Sequence, residues 1–196
     1  MLIKYFLKLK IAKKIRYVLG NYRFQREVEK VKFKRQATGF DEAHKIGLLY
    51  DATDEQDYEV IKSYVKSIRN ERKDVLALGY VDKRELPKNQ FAQYGLDFFT
   101  RKNLNWHLIP CNPIVTNFIN EPFDILINLS SNSCFPLRYI AATSHARFRV
   151  GRFDKKSTFC YDLMINAKSN TSIQDFLKLA DNYIRIIKSK HGSTTI

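Results

Sequence analysis

The chain has 196 residues, 44% of them hydrophobic and 28% charged, which is enough apolar mass for one packed domain and too little length for two of ordinary size. Seven Gly and five Pro beside fourteen Phe and eleven Tyr exclude a collagen-like, linker-dominated or low-complexity chain. With 34 Lys and Arg against 20 Asp and Glu, the net charge is +14, which attracts the phosphates of lipid or nucleic acid without selecting between them.

The excess charge lies at the start. Residues 1–40 hold 12 basic and 2 acidic side chains, whereas residues 41–196 hold 22 and 18. The sequence accordingly divides into a basic amphipathic helix with its connector over 1–40 and a single α/β domain over 41–196. Ile3, Leu7, Ile11, Ile15, Val18 and Tyr22 share about a third of a helical wheel. Lys4 and Lys14 project into or beside that arc, so a lipid-facing helix requires them to snorkel. Lys4, Lys8, Lys10, Lys13, Lys14 and Arg16 are the cations expected to touch an anionic surface. Gly20 and Asn21 are expected to end or bend the helix, whose mixture of Ile, Leu, Phe and Lys suits docking on the domain, lying on a membrane surface or self-association alike. Its lysines break any signal-peptide core, and no run of about 18 apolar residues suggests a transmembrane helix.

From His44 onwards short apolar runs alternate with helical patterns, the order of βαβ units. KIGLLYDA is the first strand, and Thr53 with Gln56 offers a capping box for a helix built on Tyr58, Ile61, Val65 and Ile68. DVLALGYVD, residues 74–82, is the second strand; residues 97–100 are a short third; residues 114–120 are a short helix. FDILINLS, residues 123–130, reads as a fully buried strand and leads through SSNSC into a helix whose first turn takes Pro136. RFRVGRF (147–153) and YDLMIN (161–166) are two further strands. Thr171 and Gln174 offer a second capping box before a closing helix on Ile173, Phe176, Leu177, Ala180, Ile184 and Ile187. The predicted fold is a three-layer α/β/α Rossmann-like domain with a mostly parallel sheet of five or six strands.

In such a sheet ligands bind beyond the carboxyl ends of the strands. That rule nominates Asp51 and Thr53 after the first strand, Asp82 after the second, Ser130, Ser131, Asn132 and Ser133 after the fourth, and Arg152 after the fifth. The serine-rich turn suits a phosphate or carboxylate at a helix start, although capping is the commoner use of such residues. Cys134 begins the same helix, where the dipole favours a thiolate. A phosphatase-type Cys-x5-Arg loop fails, because Ile140 stands six residues on and Arg138 comes too early. A small core cysteine is the simpler reading. Asp54 and Asp57 suit a helix first turn better than an acid/base pair with Asp51.

No metal site is expected, because the four His are scattered and Cys111, Cys134 and Cys160 form neither a CxxC pair nor a His cluster. No cofactor is expected either, since GxGxxG and GxxxxGK[ST] are absent. Arg147, Arg149 and Arg152, interleaved with Phe148 and Phe153, resemble a strand that touches nucleic acid. On an edge strand the same pattern is an ordinary defence against edge pairing.

The ordered set IGLLYDA, FDILINL, CFPLRYIAA and YDLMI resembles an uncharacterised family of small Bacteroidota proteins, a domain of unknown function with a basic N-terminal helix. The likeness covers about residues 1–187 and implies a fold and a bacterial cytoplasmic setting, with no catalytic residues. A local likeness over residues 123–151 is similar to the acceptor-side domain of heptosyltransferase-like glycosyltransferases, whose second domain has no room here.

Three function classes follow. The first is a non-enzymatic adaptor or binding module that meets an anionic membrane face or acidic protein partner through its basic helix, in the cytoplasm or at the inner membrane face. The second is an enzyme or binding protein for a small anionic, phosphorylated or glycosyl ligand at the strand ends. The third is nucleic-acid binding.

Overall fold

The computed structural model describes residues 2–30, 35–87, 95–131, 134–155, 157–168 and 170–187, with side chains described from Ile15 onwards. Helices α1 (Leu2–Lys30), α2 (Glu55–Asn70), α3 (Pro113–Asn120), α4 (Phe135–Thr143) and α5 (Ile173–Ile186) accompany strands β1 (Lys45–Asp51), β2 (Asp74–Val81), β3 (Leu96–Thr100), β4 (Ile125–Asn128), β5 (Phe148–Arg152) and β6 (Leu163–Ile165). The strands form one sheet in the order β3-β2-β1-β4-β5-β6, and every pairing is parallel. This is the order of a doubly wound sheet, with helices on both faces.

The central strands are apolar runs because a parallel sheet buries both faces. Ile46, Leu48, Leu49 and Tyr50 of β1 and Ile125, Leu126 and Ile127 of β4 are wholly buried. One core joins the sheet to α2 and α5. The other joins its opposite face to α4, α3 and Phe24 of α1.

Local details differ from expectation. α2 is capped by Asp54, whose side chain accepts the Gln56 amide, and α5 by Ser172, which accepts the Asp175 amide. Each helix starts a residue later than the predicted capping box. Thr53 is otherwise engaged, its hydroxyl accepting the Asp82 amide at 2.9 Å and tying the end of β1 to the end of β2. β5 is not an edge strand, because it pairs with both β4 and β6. The alternating arginines are therefore no edge defence, and two of the three are buried: Arg149 is 1% and Arg152 8% exposed, Arg149 binding Asp162 and the Ala142 carbonyl. Arg147, just before the strand, is exposed and pairs with Asp124.

α1 does not end at Gly20 but runs on to Lys30. Gly20 serves close approach, since a Cβ there would lie 2.3 Å from the His107 carbonyl oxygen. One turn on, Phe24 is wholly buried against Phe135, Tyr139 and Phe159, with ring centroids 5.4–5.7 Å away. Polar ties flank this anchor. Arg138 of α4 donates to the Tyr17 hydroxyl and the Asn21 side chain, and the Tyr139 hydroxyl donates to Glu27.

Candidate functional site

Strand order reverses between β1 and β4, since the chain builds β2 and β3 on one side of β1 and β4 to β6 on the other. The carboxyl ends of these strands diverge there and leave a crevice. It has two lobes that share Asp51 and Ser131 as lining residues.

The first lobe, about 830 Å³, lies over β2 and β3, and α1 supplies a wall through Arg16 and Tyr17. Arg16 Nε donates to the Trp106 carbonyl at 2.8 Å, while Tyr17 meets the Phe135 ring edge-on at 5.8 Å. Arg101 grips Asp82 with two hydrogen bonds, and the Tyr80 hydroxyl donates to the same carboxylate at 2.8 Å. Much of this lobe's charge is thus internally matched. Cys134 lines it too, at the start of α4. Burial pushes its thiol up to about 12, although a hydrogen bond from the Leu137 backbone works the other way. Desolvation outweighs the helix-start effect, which disfavours a thiolate nucleophile.

The second lobe, about 630 Å³, lies over β4 and β5 at the starts of α2 and α5. Four of the strand-end residues nominated from sequence, Asp51, Thr53, Ser131 and Arg152, line it together. Ser130 faces inward instead. It is 4% exposed, and its amide and hydroxyl both donate to Asn128 Oδ1, while Asn128 Nδ2 donates to the Tyr161 hydroxyl at 2.8 Å. Asn132 and Ser133 lie outside the described residues.

Arg152 is the unusual group of this lobe. Only 8% exposed, it lies 4.2 Å from the Phe176 ring centroid and donates to the Thr171 carbonyl at 3.1 Å. Among the described residues its Nε has no hydrogen-bond partner. Burial lowers its proton affinity, and the field of Asp57 partly restores it. Across the lobe, the Asp57 carboxyl is pushed up by burial and by Asp54 and Asp51, and held down by Arg152.

The remaining feature is the outer face of α1. Ile15, Val18 and Tyr22, the described part of the apolar arc read from sequence, point away from the domain and are 48–58% exposed. Leu19 joins them, and Arg23, Arg26 and Lys30 border Leu19 and Tyr22 along a groove that reaches His107. Sequence reasoning singled out this arc and left docking on the domain open, without naming the residues that dock. The spacing of Gly20, Phe24 and Val28, four residues apart, was its available signal. The side chains of Lys4, Lys8, Lys10, Lys13 and Lys14 lie outside the described residues; Arg16, as above, turns to the crevice.

The extent of the fold now has a counterpart in sequence. The chain belongs to DUF6913, a family of unknown function. The family model matches residues 16–187, so DUF6913 takes in the docked half of α1 together with the entire sheet. This match supports an uncharacterised domain; neither a Bacteroidota origin nor a glycosyltransferase likeness follows from it. No curated protein and no solved structure matches the chain. Among the described residues of this DUF6913 member, no group of three or more His, Cys, Asp or Glu is placed to hold a metal ion. Among them, too, no helix is long and apolar enough to cross a membrane.

Proposed function

We propose that this protein is a non-enzymatic binding module that associates with an anionic membrane surface through the outer face of α1. The observation that carries the reading is the outward apolar arc of Ile15, Val18, Leu19 and Tyr22, bordered by Arg23, Arg26 and Lys30, on a helix whose other face is pinned by Phe24. A helix held flat in this way presents apolar side chains to the acyl boundary and cations to phosphate headgroups. Three juxtamembrane cations contribute about 3 kcal/mol on an anionic leaflet, so charge alone binds weakly and the apolar arc has to supply the rest. The sequence places five more lysines in the first half of the same helix. A cytoplasmic location at the inner membrane face goes with this reading, and the free thiols of Cys111, Cys134 and Cys160 suit a reducing compartment.

Flotation with phosphatidylserine-containing and purely zwitterionic vesicles tests the proposal. Binding is expected to the anionic vesicles only, to weaken with added salt, and to be lost in Val18→Asp/Tyr22→Asp and in Arg23→Glu/Arg26→Glu. Unchanged flotation of both double variants would refute it. Retention on duplex DNA or RNA at low salt without any lipid binding would move the basic helix to the nucleic-acid class.

A further inference from the structure

We propose that the second lobe of the strand-end crevice binds a small zwitterion of the α-amino-acid class, its carboxylate held by Arg152 and its ammonium by Asp51 and Asp57. Arg152 supplies the first half of the argument. A guanidinium carries five N–H donors in a planar fork, and this one belongs to a residue only 8% exposed. One carbonyl accepts from it, its Nε is unsatisfied, and no ion pair neutralises it among the described residues. A buried cation without a bonded counter-ion is costly, and a carboxylate is the partner that matches the fork in plane. The starts of α2 and α5 border the same lobe and favour negative charge beside them.

The acidic wall supplies the second half. Asp51, Asp54 and Asp57 face the same space as Arg152, and the mutual repulsion of these carboxylates with burial raises the Asp57 pKa. Asp54 Oδ1 accepts the Gln56 amide as the cap of α2 and Asp51 Oδ1 the Thr53 amide, which leaves the second oxygen of each and the Asp57 carboxylate to receive a donor. A phosphate or sulfate would meet four carboxylates, since Glu55 also lines the lobe, and a simple amine would meet Arg152. A molecule with an anion at one end and an ammonium at the other satisfies both walls. The strand-end rule alone suggested an anionic, phosphorylated or glycosyl ligand; the acidic wall revises that to a zwitterion. The volume of about 630 Å³ falls in the range of small-molecule pockets.

The test uses the full chain, with thermal shift and isothermal titration calorimetry against the common L-amino acids singly, the N-acetyl and carboxamide forms of each binder, and inorganic phosphate. At least one free amino acid is expected to bind, its acetylated and amidated forms about ten-fold or more weaker, because each lacks one charge. Asp57→Asn and Arg152→Lys are each expected to weaken it about ten-fold or more; if Arg152→Lys does not fold, the partly exposed Asp57→Asn decides alone. Val18→Asp/Tyr22→Asp is expected to bind the amino acid normally, which separates this site from the membrane face. No response to any amino acid, phosphate binding as tight as the best amino acid, or unchanged affinity in Asp57→Asn would overturn the proposal.

Discussion

Phe24→Ala asks whether α1 is an integral part of the domain or an appendage laid on it. The ring is wholly buried among Phe135, Tyr139 and Phe159, with the Arg138 guanidinium 5.8 Å from its centroid. Loss of the buried ring costs about 1.5–3 kcal/mol by area. The void left between three aromatic side chains, which have little room to collapse, raises this to about 3–5 kcal/mol. For a chain of this size the melting temperature then falls by about 6–20 °C. Urea denaturation followed by tryptophan fluorescence and by circular dichroism measures the loss. Trp106 reports on the α1 contact directly, because its carbonyl accepts from Arg16 and its ring lies 6.0 Å from that guanidinium. The control is Leu19→Ala on the exposed face, expected within about 0.5 kcal/mol of the parent. If Phe24→Ala is no less stable than Leu19→Ala and keeps the same fluorescence transition, the docking of α1 is not part of cooperative folding.

Two further expectations concern titration. The thiols of Cys134 and Cys160 are both pushed up to about 12 by burial, so about one in ten thousand is thiolate at pH 8, whereas Cys111 is exposed. Timed alkylation read by peptide mass spectrometry should give a single fast site at Cys111, and equally fast labelling of Cys134 would contradict the burial argument. Glu71, gripped by two bonds from Arg185, is held below its ordinary value of 4.5, chiefly by those hydrogen bonds. A depressed carboxyl stabilises the fold above its unfolded value and loses that contribution as pH falls through the folded one. Glu71→Gln should therefore cost less than about 1 kcal/mol at neutral pH, since the pair is partly exposed and screened. That difference should disappear as pH is lowered below 4.5, and a difference that persists in acid would show that the ion pair is not its source.

The sequence by itself determined the order and type of the elements and the strand-end set. A strand buried on both faces must be apolar along its length, so the runs at β1, β2 and β4 declared themselves whatever they packed against. α2 and α5 showed their buried faces in three- and four-residue spacing, and Asp51, Thr53, Ser131 and Arg152 came together because parallel strands end at one edge of the sheet. Only the tertiary structure decided which polar groups look outward. Ser130 turns in because Asn128, itself anchored to Tyr161, accepts both its donors, and the alternation of RFRVGRF cannot show that β5 lies between two strands. The orientation of α1 was beyond local pattern for the same reason. Its apolar arc is the larger, yet Gly20 and Phe24 dock, because the surface that receives them is built from His107, Phe135, Tyr139 and Phe159, residues brought there only by the folding of the sheet.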